Sequence, residues 1–380
     1  MPRTYPHPLS LKLEEWPVAD RLAWCAALQP GDVLDPGGAA SHWSPATVAW
    51  MSNAYGHWLA WLKRNALLDA DGTAAQAIQS DLVARYVSDM RAVNASSSVA
   101  DRVQKLYFVA KLLSPEQNWE WLRSIWRRLN STARPARDKQ ARLVDASELF
   151  ALGLQLIGKG ERLSHTSPMD GAVLYRDGLM IALLAARPLR RKNLAAIKIG
   201  EHLVRSGPGY RLQFAARETK SRTALELNLP AKLTPFLDRY ISHHRPLLFP
   251  RNRVSKQPMT RDPSACQNLW VSVRGTGMGA ETIYGRIVAH TRAKFGRSIN
   301  PHLFRDSVAT SVAVDDPKHV RITMNLLGHS KLATTEQYYI QAWSLEATRR
   351  HQSHVLGLRR QSRDANLARG HPPRGKQPDG

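Results

Sequence analysis

Apolar side chains recur every three or four residues from Ser44 onward, with Val48, Met51, Tyr55, Trp58 and Leu62 falling on one helical face. Ser44 offers an N-cap oxygen and Pro45 suits the first helical position, so the pattern predicts a helix with a defined start. The same period predicts helices from Ser80 to about Arg91 through Val83, Val87 and Met90, and from Ser98 through Val103, Leu106, Ala110 and Leu113. A fourth helix is expected after Ser114-Pro-Glu-Gln117, a capping-box sequence, carrying Trp119, Trp121, Leu122, Ile125, Trp126 and Leu129. Residues 44–130 thus read as a helical bundle without strands, with the tryptophans at 50, 58, 61, 119, 121 and 126 expected in its core.

Further on the period becomes mixed. Asp145–Ile157 and Leu174–Ala186 look helical, whereas Leu203–Phe214 and Thr223–Leu229 alternate around Gly207-Pro-Gly209 and a polar turn at Thr219–Arg222, which predicts a small antiparallel sheet. Helices are expected again at Leu269–Val273, Thr282–Lys294, Phe304–Ala313, His319–Leu327 and from Ser344. Between the two regions, residues 131–143 form a basic linker with Arg134, Arg137, Lys139 and Arg142, in which Pro135 discourages helix before it. The expected division is an extension at 1–43, a helical domain at 44–130, the linker, a mixed domain at 144–355 and a flexible basic tail at 356–380.

Charge changes the picture most. Fifty-four Lys and Arg against 31 Asp and Glu leave a net charge of +23, which on a chain with ordinary apolar content points to a polyanionic partner, nucleic acid first. Neither a membrane-length apolar run nor an apolar signal core at the start is seen, so a cytoplasmic protein is expected. Cys25 and Cys266 are too few for a disulfide framework and lack the spacing of a structural zinc site.

Three stretches carry the candidate chemistry: Arg187-Pro-Leu-Arg190-Arg-Lys-Asn193, then His302-Leu-Phe-Arg305, then Leu327-Gly-His329-Ser330 with Thr334-Thr-Glu-Gln-Tyr338-Tyr339. Each alone is a short match; the order and spacing together are specific. His302 and Arg305 lie one helical step apart on a single face, and nine residues separate His329 from Tyr338. In this arrangement the chain resembles the tyrosine site-specific recombinases, the phage integrase and Xer-like family, from about Ser44 to Val355.

The resemblance implies a mainly α fold with a small antiparallel sheet, in which a helical core-binding (SAM-like) domain and a catalytic domain clamp double-stranded DNA. It implies a site made of Arg190, Lys220, His302, Arg305, His329 and Tyr338, with no cofactor or metal. Arginine forks suit the non-bridging oxygens of a phosphodiester, whose charge grows as oxygen attacks. Tyr338 would form a 3′-phosphotyrosyl link that keeps the bond energy, Tyr339 being the fallback, so rejoining needs no ATP. By similarity Lys220 protonates the leaving 5′ oxygen, His302 assists proton transfer from the tyrosine and His329 hydrogen-bonds the phosphate.

The same resemblance implies a nucleoid-associated DNA recombinase or integrase of mobile-element type. It would act as a homo-tetramer on two DNA sites, with accessory DNA-bending proteins as possible partners. The segment from Ser344 packs either on its own domain or on a neighbouring protomer. Two positions depart from the family pattern: Asn193 stands where an acidic residue is usual, and Asp306 follows Arg305 where a His is common. A catalytically silent DNA-binding protein of the same fold and a type IB topoisomerase are the alternatives.

Overall fold

The computed structural model describes residues 9–134, 140–249 and 266–315. It is mainly helical with one three-stranded antiparallel sheet, and it divides into two compact units between residues 139 and 140.

The first unit holds α1 (Val18–Leu28), α2 (Pro45–Arg64), the one-turn α3 (Ala74–Ala77), α4 (Ser80–Val93), α5 (Ser96–Leu113) and α6 (Glu120–Ser131). Ser44 caps α2 through its side-chain oxygen, which accepts from Thr47 N–H at 3.2 Å, and Tyr55, Trp58, Leu59 and Leu62 are buried. Trp58 stacks on Trp61 at 5.3 Å, and Tyr86 of α4 meets Trp58 edge-on. Two expectations are corrected here. Trp50 is 55% exposed and lies outside the core. The α6 helix begins at Glu120, whose N–H is accepted by Asn118 Oδ1 at 3.0 Å, while Ser114–Gln117 forms a turn whose Ser114 carbonyl accepts from the Trp119 indole.

Residues 9–43 do not stand apart from this unit, as an extension would. Leu11, Trp16 and Trp24 are buried in its core, and α1 carries a buried Asp20. The Asp20 carboxylate accepts from Tyr55 Oη at 2.6 Å and from Ala74 N–H at 2.7 Å, joining α1 to α2 and α3. Burial raises the Asp20 pKa, and the two hydrogen bonds oppose that rise.

The second unit is built on α7 (Ala146–Leu163) and α8 (Pro168–Ala186). Every residue of α8 from Tyr175 to Ala185 is buried, as expected of a central helix that is apolar nearly all round. Glycines let the two helices touch through backbone: a Cβ at Gly178 would lie 2.7 Å from the Gly153 carbonyl oxygen, and one at Gly160 would lie 2.5 Å from Tyr175 N. A Gly178→Ala protein is therefore expected to lose about 1–3 kcal/mol in urea denaturation through forced separation of the helices; unchanged stability would show that the pair has room to spare.

Around this pair sit α9 (Arg191–Ala196) and the strands β1 (Leu203–Ser206), β2 (Gly209–Phe214) and β3 (Leu225–Asn228), paired in that order. Tyr210, Leu212 and Phe214 of β2 point to the core, and Gly207 takes a positive φ of 56° in the hairpin turn. Then follow α10 (Thr234–Arg239), a π-helical turn (Tyr240–His244), α11 (Arg245–Leu247), α12 (Ala280–Phe295) and α13 (Pro301–Asp315). The expected helix at Leu269–Val273 is absent: Asn268 bridges Lys198, Val271 bridges Gly277, and the backbone turns at Gly275, φ 69°. The helices expected at His319–Leu327 and from Ser344, and the tail, lie outside the described residues.

A buried ion cluster ties α12 to α8. Asp177 Oδ1 accepts from Arg176, while Oδ2 accepts from Arg286 at 2.6 Å and His290 at 3.0 Å. Burial pushes the Asp177 carboxyl up, but the His290 hydrogen bond and the two guanidinium groups outweigh it and hold the pKa below the usual value. Among the described residues no helix is long and apolar enough to cross a membrane.

Candidate active site

The chain leaves α8 at Arg187, whose extended backbone (φ −138°, ψ 93°) suits a residue that precedes proline. Leu189 is buried, and Arg190 takes the N-cap position of α9, where its carbonyl accepts from Leu194 N–H at 2.9 Å. The sequence thus forces a sharp turn between two helices and leaves Arg190 half-buried at its end.

Arg305 reaches the same turn from α13. That helix starts at Pro301, and Asn300 Oδ1 accepts from the N–H groups of His302 and Leu303, each at 3.0 Å, satisfying donors that would otherwise be orphaned. Arg305 is 6% exposed, and its guanidinium donates to the carbonyl of Pro188. Pro188 stands two residues before Arg190, a span of at most about 7 Å. The Arg305 guanidinium is therefore seated on the turn that ends at Arg190. His302 precedes Arg305 by one helical step and is exposed.

Lys220 lies in the turn between β2 and β3 and is exposed. Thr219 shapes that turn: its hydroxyl donates to the Thr223 carbonyl at 2.8 Å and accepts from Thr223 N–H at 3.2 Å, and Arg222 adopts a positive φ of 53°. The turn is fastened to α9, because Asn193 Nδ2 donates to the Glu218 carbonyl at 3.2 Å. The Glu218 carboxylate takes one hydrogen bond from His202 Nε2 at 2.9 Å and another from Ala215 N–H at 2.8 Å. The His202 hydrogen bond, with that from Ala215, holds the Glu218 carboxyl below its ordinary pKa.

Glu201, His202 and Glu218 bring three potential metal-ligand atoms within 4.8 Å of one another. His202 is nevertheless engaged at both nitrogens. Nδ1 accepts from Lys198 N–H at 3.2 Å, so Nε2 carries the proton that it gives to Glu218, and Lys198 Nζ neutralises Glu201 at 2.9 Å. Coordination would require that proton to leave and both bonds to rearrange, so the donor set fits a fastening better than a metal site.

Of the sequence-predicted residues, then, Arg305 bonds to the turn that ends at Arg190, Lys220 sits on a turn bonded to the helix that Arg190 begins, and His302 lies one helical step from Arg305. His329 and Tyr338, with Tyr339, lie outside the described residues. The roles of Pro188, His202 and Glu218 gave no sequence signal, because each acts through a backbone carbonyl or a single unremarkable side chain. Asn193 did give one, as a departure from the family pattern.

The first unit has a separate basic face. Trp50, His57 and Arg64 follow one another at seven-residue steps along α2, and Arg102 and Lys105 lie one helical step apart on α5. Lys105 itself is buried: its Nζ sits 3.6 Å from the centroid of the exposed Trp50 ring and is ion-paired to Asp101. Burial lowers the His57 pKa, and the charges of Arg102, Arg64 and Lys105 lower it further, which shows how closely these cations gather.

Residues 161–344 match the family model described as the phage integrase family, a span that encloses Arg190, Lys220, His302, Arg305, His329 and Tyr338. The tyrosine recombinase XerD of Chlamydia pneumoniae is 24% identical over 214 residues, 56% of this chain and 58% of that protein. The XerD of Pseudomonas aeruginosa (strain ATCC 15692) is 28% identical over 179 residues, 47% of this chain and 54% of that protein. The chain spans about half the length of these curated relatives. The crystal structure of the XerH site-specific recombinase bound to difH substrate superposes with a TM-score of 0.51 at 13% identity, covering 87% of this chain and 96% of that one, which is a likeness of fold. Residues 161–344 are thus similar to the phage integrase family, and the curated proteins this chain resembles are tyrosine recombinases.

Proposed function

We propose that this protein is a site-specific DNA recombinase that cuts and rejoins double-stranded DNA through a 3′-phosphotyrosyl intermediate, using no metal and no ATP. The observation that carries the reading is the Arg305 guanidinium seated on the Pro188 carbonyl, beside Arg190. In this reading the two arginines share a single phosphate, and their charge is worth most where charge builds in the transition state.

In this reading the Tyr338 oxygen attacks phosphorus, its proton passing with the help of His302. The bond from phosphorus to O5′ breaks as Lys220 gives a proton to the departing oxygen. His329 hydrogen-bonds the phosphate. The new phosphotyrosyl ester holds the energy of the broken bond, so a 5′-hydroxyl of a partner strand reverses the step. Strand exchange takes four such cleavages, hence a homo-tetramer on two DNA sites in the nucleoid, with DNA-bending proteins as accessory partners and the segment from Ser344 as a candidate docking element. The accessible cations of the first unit's basic face, Arg64 and Arg102, supply phosphate contacts, with the buried Lys105 spent on Asp101. Arg64→Ala together with Arg102→Ala is expected to weaken DNA binding and to flatten the slope of log K against log salt by about 2, with site preference kept. Fluorescence anisotropy between about 50 and 200 mM salt measures this; an unchanged slope removes that face from the interface.

The reading is tested with a nicked suicide duplex carrying the sequence that the protein selects from a random pool. A covalent adduct that survives denaturing electrophoresis is expected. Binding without any adduct would make the protein a silent DNA-binding relative, and supercoil relaxation without partner exchange would make it a topoisomerase.

A further inference from the structure

Glu218 is held three ways and lies two residues before Lys220. Its carbonyl accepts from Asn193 Nδ2 on α9, and its carboxylate accepts from His202 Nε2 and from Ala215 N–H. Asn193 and His202 are both buried, 5% and 3% exposed, whereas Lys220 is exposed. A long, exposed lysine on a hairpin turn is a poor proton donor unless the backbone beneath it is fixed, because its rotamer freedom must be lost at the moment of reaction. The structure places that fixation on Glu218 and ties it to the helix whose N-cap is Arg190.

We infer that Asn193 and His202 are positioning residues for Lys220, holding its turn through Glu218 at a set distance from Arg190; this rests on the reading of Lys220 as the proton donor to O5′. Asn193 must act here as a donor. An acidic side chain at this position, usual in the family, would turn a carboxylate oxygen toward the Glu218 carbonyl and could not make the bond. In this chain the link between the first arginine and the lysine turn therefore runs through an amide N–H.

The chemistry of the leaving group separates this role from a general structural one. Replacing O5′ by sulfur at the scissile position gives a leaving thiolate, which departs without a proton; the normal alkoxide needs one. On the oxygen substrate, Asn193→Ala and Asn193→Asp are expected to slow single-turnover cleavage roughly 10- to 100-fold. On the sulfur substrate both are expected to match the wild type within about three-fold, as Lys220→Ala should. Should Asn193→Ala fail to fold by thermal melting, His202→Phe, which keeps the ring stacked on Phe214 and removes the bond to Glu218, carries the same expectation. Equal slowing on both substrates, or a wild-type rate on the oxygen substrate, would overturn the inference while Lys220→Ala still shows rescue. No sulfur rescue of Lys220→Ala itself would instead overturn the assignment of Lys220, and the inference with it.

Discussion

Tyr338→Phe is expected to abolish the covalent protein–DNA adduct, a fall of at least about 10⁴-fold in cleavage, with site binding kept within about three-fold. The substitution removes one oxygen and no charge, so neither the basic face nor the arginine turn is altered. A phenol near its ordinary pKa of roughly 10 is almost wholly protonated at neutral pH. It becomes a useful nucleophile only beside a proton acceptor and a phosphate whose charge is already balanced. In the proposed reaction Arg190, Arg305 and His302 would provide that setting, so the effect is expected to be confined to the chemical step. Tyr339→Phe serves as the control and should form adduct at close to the wild-type rate. Adduct retained by Tyr338→Phe and lost in Tyr339→Phe would move the nucleophile by one residue, and adduct retained by both would remove the tyrosines from the reaction.

The parts of the fold that could be read directly are those in which one pattern acts without competition. In α2 the apolar stripe, the Ser44 cap and Pro45 all point to the same start, and the structure begins the helix there. The β2 alternation of Tyr210, Leu212 and Phe214 is equally plain. By contrast α1 has a weak sequence signal because it buries a carboxylate: Asp20 interrupts the stripe, and the distant Tyr55 hydroxyl and Ala74 N–H make that burial tolerable. Leu269–Val273 resembles a helix in sequence because a short apolar run has no period of its own, and the turn at Gly275 settles it in favour of bridged, extended backbone. Ser114–Gln117 carries the letters of a capping box, yet Asn118 provides the hydrogen bond that starts α6. The site shows the same division. Side chains proposed to meet a phosphate stand in motifs of fixed spacing, so Arg190, His302 and Arg305 can be singled out from the sequence. The contacts around them, from Arg305 to the Pro188 carbonyl and from Asn193 to the Glu218 carbonyl, leave no such pattern, because a backbone carbonyl is the same at every position in the chain.

The second large effect concerns Arg305. Arg305→Ala is expected to slow cleavage by roughly 10³-fold and Arg305→Lys by roughly 10²-fold, with DNA affinity changed far less. The guanidinium is 6% exposed and already gives one N–H to Pro188, so its remaining donors are held in a plane whose direction the protein has fixed. A lysine keeps the charge but offers a single ammonium centre on a flexible stem. It must either satisfy Pro188 or turn to the phosphate, and it lacks the fork that grips two oxygens as their charge grows. The alanine variant loses both, and it also leaves the carbonyl of the buried Pro188 without this donor, at a cost to folding of about 1–3 kcal/mol. Stability and chemistry can be told apart, because the folding cost appears in urea denaturation of the free protein while the rate loss appears in single-turnover cleavage of the folded complex. If Arg305→Ala cleaved within ten-fold of the wild type, the Pro188 contact would be the whole role of this arginine, a structural one, and the phosphate would have to be held by Arg190 with groups elsewhere in the chain.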